Sequence, residues 1–330
     1  MSGIANSRRK ALAIGTTTAV AAAAGVTLGV LPAFAHSGST EAAYFAASLN
    51  GANEVPVKGG PAVGDKGGAA LEFIKVRGDQ VSFAVKWRGT DRPTALHIHQ
   101  GAKGTNGGVK IDLTEKLGGG GEHGKHGKHG KGGKGGWRTA TGTVHVKDKA
   151  VLDAFKAEPT GFYANLHTAE FPGGAVRGQF HKVTNPFDFA GALDHFQASV
   201  VKGKQIYECK KGDDGKLAFL QRDVRAVLGG HIAHSFVAPN SGTPQWIAPD
   251  RSAVTGKLIA KTPNGVGNIP ELDLQATQSG KKRGLFAHTT EILRLNTVGG
   301  VAPAGTCEAG AITAVPYQAD YVFIQRRTQR

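Results

Sequence analysis

The chain has 330 residues, more than one ordinary core holds, so two domains are expected. It carries 49 Gly, about twice the usual share, yet 40% of its residues are apolar and only 20% charged, which excludes a disordered chain. The formal charge is +15, but no basic run is interleaved with aromatics, so nucleic-acid binding is not supported.

Glycine supplies the positive φ of tight turns and weakens helix interiors, so many short strands are expected. The predicted fold class is all-β: two antiparallel β-sandwich or barrel domains in tandem, preceded by a signal peptide. That peptide occupies residues 1–35. Arg8-Arg9-Lys10 is its basic region, Ala11 to Leu31 its weakly apolar region, and Ala33-Phe34-Ala35 its cleavage site. Ser7-Arg8-Arg9 fits a twin-arginine signal in part, so that route stands beside ordinary Sec export. Nothing else approaches the ~20 apolar residues of a membrane span, and the mature chain is expected to be secreted or wall-associated.

The first domain is expected over 36–184. Strands are predicted at Ala43–Leu49, Leu71–Val76, Val81–Trp87, Ala95–His99, Lys110–Leu113, Thr139–Val146, Phe162–His167 and Ala175–Val183, from period-two alternation between Gly turns. One helix is predicted, Asp148 to Ala157, stopped by Pro159. A Gly/His/Lys-rich insertion over 117–136 has nothing apolar to bury and is expected to be a mobile loop. It repeats His-Gly-Lys three times, at His123, His126 and His129, a weak secondary set for a divalent metal. Segment Lys116 to Arg138 has six positive residues against Glu122 alone, so anionic cell-wall polymers are a candidate partner, beside an extracellular protein.

The second domain is expected over 185–330, with strands at Gln205–Cys209, Leu217–Leu220, Ala253–Ile259, Leu272–Thr277, Ala287–Leu295 and Tyr317–Ile324. Cys209 and Cys307 are the two cysteines, and in an oxidising compartment they are expected to form one bridge worth roughly 4–5 kcal/mol by chain entropy. Met1 is the one methionine, so a mature chain lacks soft Cu(I) ligands, and metal chemistry rests on His and carboxylates.

His97 and His99 lie two apart in a strand and so share a face, while Leu96 and Ile98 anchor the other. His167 ends a strand whose Phe162, Ala164 and Leu166 face inward, so it points outward with Tyr163 and Asn165. If the two strands are neighbours, three neutral imidazoles converge and suit Cu or Zn with one open position. Nitrogens near 2 Å from one ion must then lie within about 4 Å of one another. The plain alternative is two exposed strand histidines and a third bonded to a loop. In the second domain His231, His234, Trp246, Asp250 and Ser252 are the side chains to inspect. Packing is the simpler role for Trp246, and a turn the simpler role for Asp250-Arg251-Ser252. No G-x-S-x-G, H-E-x-x-H or phosphate-binding loop is present, so the sequence leans away from an enzyme.

Leu49-Asn50-Gly51-Ala52-Asn53-Glu54-Val55-Pro56, His97-Ile98-His99-Gln100-Gly101, and Asn165-Leu166-His167-Thr168 with Pro172-Gly173-Gly174-Ala175-Val176-Arg177-Gly178-Gln179 resemble, in this order, the chordin-type (CHRD) domain. The likeness spans about Tyr44 to Val183 and implies a β-rich extracellular domain, of a kind that in animal chordins belongs to growth-factor-binding proteins; it does not imply an enzyme. His97-Ile98-His99 is also similar to the H-V-H strand of copper/zinc superoxide dismutases, which implies a copper redox alternative from that one strand. From about Phe189 to Gln325 the chain resembles a secreted bacterial and fungal domain family of unknown function, carried by Gln245-Trp246, Asn296-Thr297-Val298-Gly299-Gly300 and Ala319-Asp320-Tyr321 among others.

Overall fold

The computed structural model describes residues 41–117 and 136–326. The expected signal peptide and His123, His126 and His129 lie outside the described residues. Nine strands form the first sheet: β1 (Ala43–Asn50), β2 (Ala69–Arg77), β3 (Gln80–Arg88), β4 (Pro93–Gln100), β5 (Val109–Asp112), β6 (Arg138–His145), β7 (Phe162–Thr168), β8 (Val176–Gln179) and β9 (His181–Val183). Their order is β5-β4-β7-β8-β1-β2-β3-β6, with β9 also on β1, all antiparallel, giving a half-barrel. The helix α1 (Lys149–Ala157) covers its inner face. Asp148 caps α1 by accepting from the Val151 N–H at 3.2 Å, and Leu152 and Phe155 join the core.

The remaining strands are β10 (Phe196–Lys211), β11 (Leu217–Leu228), β12 (Ile232–Phe236), β13 (Pro244–Ile247), β14 (Ala253–Thr262), β15 (Glu271–Gln278), β16 (Thr289–Gly299) and β17 (Ile312–Gln325). They close into an eight-stranded antiparallel barrel. The Cys209–Cys307 disulfide ties β10 to the segment before β17 across 98 residues. Two of these strands escape the sequence pattern. β12 and β13 are short, bracketed by Gly and Pro, and hold His234 and Trp246 where aliphatics would have signalled a strand. β10 and β11 also run longer than expected, because outward charges such as Lys202 and Arg225 break the apolar runs while Val224, Ala226 and Leu228 stay inward.

The sheet and the barrel share a core. Ala46, Leu71, Phe73 and Ala84, on the outer face of β1 to β3, pack against Leu293, Leu295, Val322 and Ile324 of β16 and β17. At roughly 1.5–3 kcal/mol for each large apolar side chain buried, such a contact restrains the two far more than their linker does. The linker is itself clamped. The Glu291 carboxyl oxygens accept from the Thr184 N–H at 2.8 Å and the Asn185 N–H at 2.6 Å, and Phe187 and Ala192 are buried in the shared core. Among the described residues no helix is long and apolar enough to cross a membrane.

Glu72 is the anomaly of the first core. It shares the inward face of β2 with Ala70 and Ile74, is 0% exposed, and neither carboxyl oxygen has a partner. Burial alone pushes its pKa up to about 8. The folded state therefore holds a proton that the unfolded chain releases near pH 4.5, so this site costs stability as pH rises from about 4.5 to 8. Glu291, raised to about 8 by burial and by Asp273, acts in the same direction, so only a comparison with a variant isolates Glu72. Glu72→Met is expected to stabilise the protein, and by roughly 3–4 kcal/mol more at pH 8.5 than at pH 5, at about 1.4 kcal/mol per pKa unit. Urea denaturation of both proteins at the two pH values checks this; an equal difference at both would show Glu72 ionised in the fold.

Candidate metal centre

Strands β4 and β7 are hydrogen-bonded neighbours, with Ala95 opposite His167, His97 opposite Asn165 and His99 opposite Tyr163. Leu96, Ile98, Ala164 and Leu166 turn into the core at 0% exposure, so the alternate residues all stand on the outer face. His167 is thereby diagonal to His97, within reach of a long side chain. One ring nitrogen from each of His97, His99 and His167 lies within 4.8 Å of the other two. Ligands near 2 Å from one ion lie at most about 4 Å apart, so the three rings would have to draw closer together to share one.

The hydrogen bonds decide which nitrogens are free. His99 Nδ1 lies 2.9 Å from the Gly107 carbonyl and must donate to it, which leaves Nε2 as a lone pair, buried and without a partner. His167 Nδ1 donates to the Pro172 carbonyl at 3.0 Å, which leaves its Nε2 as a second lone pair. His97 Nδ1 is 3.2 Å from that same Nε2 and shares its proton with it. At the other end of the His97 ring, Nε2 lies 3.4 Å from Thr114 Oγ1 and 3.6 Å from Asp112 Oδ1. A cation among the three rings would take the place of that proton, which would move to Nε2 and face Thr114 Oγ1, with the Asp112 carboxylate nearby. Carboxylates and carbonyls that fix the far nitrogen of a histidine are the usual second layer of a metal site.

All three imidazoles are neutral at pH 7. Burial lowers each pKa, His167 to about 4, and the carbonyls of Gly107 and Pro172 offset this only in part. Burial raises Asp112, but hydrogen bonds from Thr114 and the nearby His97 hold its carboxyl below the usual range.

A second ring of side chains supports the first. Tyr163 stacks on His99, with centroids 4.9 Å apart and planes 8° apart, and the Arg177 guanidinium lies 3.5 Å from the Tyr163 ring centre. Arg177 also donates to the carbonyls of Thr105 at 2.7 Å and Ala102 at 3.2 Å, and to Asn106 Oδ1 at 3.0 Å. It thus holds the loop that presents the Gly107 carbonyl to His99. Burial raises Glu54 to about 7 despite the opposing pull of Arg177 and Asn165. Gly174, at φ +134, is required here, since a Cβ would stand 2.5 Å from Glu54 Oε1 and 2.6 Å from Asn165 Oδ1.

The barrel's candidates do not join this centre. His234 is buried, stacks on Trp246 at 4.4 Å, donates from Nδ1 to the Gln245 carbonyl at 2.8 Å and accepts from the Tyr321 hydroxyl at 3.1 Å. His231 is exposed at φ 59, at the end of a short 3₁₀ turn. Asp250 accepts from the Ser252 N–H and hydroxyl and from the Leu285 N–H, so it shapes a turn. Sequence reasoning did not single out Arg177, Tyr163 or Glu54 as functional. Their signal was a set of polar side chains alternating with core residues on adjoining strands.

These features define an all-β protein in which a half-barrel bearing a three-histidine cluster is joined to a closed barrel. Residues 45–180 match the family model of the CHRD domain, and residues 220–325 match that of a family described as a protein of unknown function (DUF3455); the chain carries the two in that order. The second match begins inside β11, later than the likeness from about Phe189 seen in the sequence. No curated protein and no solved structure matches the chain.

Long-range ¹H–¹⁵N spectra of the metal-free protein at pH 7 are expected to show His99 and His167 protonated at Nδ1. His97 is expected to move its proton from Nδ1 to Nε2 when Zn²⁺ is added. A His97 tautomer unchanged by Zn²⁺ would remove the proposed exchange.

Proposed function

We propose that this chain is an exported binding protein whose CHRD domain holds one divalent ion, Cu²⁺ or Zn²⁺, through His97, His99 and His167. The observation that supports this reading is the proton arrangement: the Gly107 and Pro172 carbonyls hold two imidazoles with Nε2 free, and Thr114 Oγ1, 3.4 Å from Nε2 of His97, is placed to accept from the third. Neutral nitrogens suit either ion, and three of them leave a coordination position open. His97 and His167 are half-buried, so an ion reaches them from solvent. The disulfide supports export, since such bonds persist in oxidising compartments.

Metal analysis of the full mature chain, produced without a His tag, tests this. One ion per chain is expected, falling to less than about a tenth in His97→Ala and in His167→Ala, since each removes a direct ligand. No stoichiometric metal under Cu²⁺ or Zn²⁺ loading would overturn it. Superoxide turnover by the copper-loaded protein, lost in both variants, would instead assign a redox enzyme.

A further inference from the structure

The closed barrel holds a cavity of about 640 Å³ that is open to solvent, and all eight strands contribute to its lining. Eight-stranded barrels are just wide enough either to fill with side chains or to hold one small ligand, and this volume lies in the usual range of ligand pockets. Its walls are largely apolar and aromatic, among them Val224, Leu272, Leu274 and Trp246. No acidic side chain is among the lining residues, whereas two cations are, the buried Arg294 and the exposed Lys257.

Arg294 is only 9% exposed, and among the described residues no carboxylate lies within ion-pair distance of it. Its Nη2 donates to the Pro270 carbonyl at 2.7 Å, but its Nε has no acceptor in the protein. Two further lining side chains share this condition. Gln205 Nε2 and Trp246 Nε1 are buried N–H groups without a protein acceptor, at 1% and 0% residue exposure. His234 adds no acceptor, because Nδ1 donates to Gln245 and Nε2 is taken by Tyr321. Unmet donors and an uncompensated buried cation carry a desolvation cost that an anionic acceptor relieves.

We propose that the barrel binds a small organic carboxylate, its head group on Arg294 and its apolar body along Trp246, Leu272 and Leu274. The planar fork of a guanidinium matches a carboxylate, and a single buried cation with apolar walls, Lys257 standing exposed to solvent, suits a monoanion rather than a phosphate. The site is separate from the histidine cluster and does not depend on a metal there.

Calorimetry and tryptophan fluorescence on the full, disulfide-bonded chain test this with three probes of equal chain length: decanoate, decanol and decyltrimethylammonium. Decanoate is expected to bind once per chain, about tenfold or more tighter than decanol, with no saturable binding of the cation. Arg294→Met is expected to weaken decanoate by about tenfold or more and leave decanol unchanged. Leu274→Trp, which fills the lumen, is expected to abolish both, and His97→Ala to change neither. No saturable decanoate binding, or equal affinity for decanoate and decanol, would overturn the proposal on the unaltered chain, even where a variant fails to fold. Undiminished decanoate binding in folded Arg294→Met would overturn it as well.

Discussion

Burying a guanidinium costs several kcal/mol unless every N–H finds an acceptor, and Arg177, at 1% exposure, is the charge around which the first sheet is arranged. Its partners are neutral oxygens: the carbonyls of Ala102 and Thr105 and the side-chain oxygens of Asn106 and Gln179. Satisfying it therefore demands that the loop after β4 fold back over the sheet. That loop supplies the Gly107 carbonyl, which fixes the tautomer of His99, and the Tyr163 ring is held between the guanidinium and His99. The carbonyl of Arg177 accepts from Asn53, whose same amide group donates to Asn296 of the barrel. Asn296 in turn donates to Ser48 and to Asp320, and Ser48 also donates to Asp320. One buried charge thus links the histidine cluster to the junction between sheet and barrel.

The outer face of the first sheet does two jobs because strand periodicity leaves it no other residues to use. Over β1 to β3 that face is apolar and is buried under β16 and β17. Over β4, β7 and β8 it is polar, with His97, Asn165 and Arg177 in lateral register. Asn50 continues the row as the partner of Arg177 on β1, where the two regions meet. A substitution at this seam is felt on both sides, through packing toward the barrel and through hydrogen bonds toward the histidines.

Most of the fold was legible because alternation is local. The eight expected strands of the first sheet, the helix after Asp148 and the shared face of His97 and His99 all follow from residues a few positions apart, whereas the stretch expected as one strand over Ala175–Val183 is broken at Phe180 into β8 and β9. The convergence of His167 was not legible in that way. It depends on pairing β4 with β7 across more than sixty residues that include a helix and the Gly/His/Lys insertion, and periodicity is silent about partners. Arg177 escaped for a different reason: a charge within a strand normally faces water, and nothing local announces that a loop will cover it. The lumen is a further case. It exists only because eight strands close, two of them carry weak strand signals, and an arginine lining a cavity reads the same in sequence as one on a surface.

The two candidate sites are complementary in their hydrogen-bond chemistry, and this argues that they serve different ligands. At the histidine cluster the protein spends its acceptors on the outward nitrogens, so lone pairs are left to converge, and lone pairs attract a cation. In the barrel the acceptors are used up among Tyr317, Tyr321, His234 and the Gly300 carbonyl, which accepts from Tyr207, so N–H groups are left over. Surplus donors attract an anion. A metal-bound carboxylate would need both sets in one place, whereas here each lies within its own sheet. The disulfide lies on the barrel side alone, tying β10, which supplies Gln205 and Tyr207 to the lumen, to the segment leading into β17, which supplies Tyr321. The covalent restraint therefore steadies the wall of the lumen and leaves the histidine cluster to be ordered by Arg177.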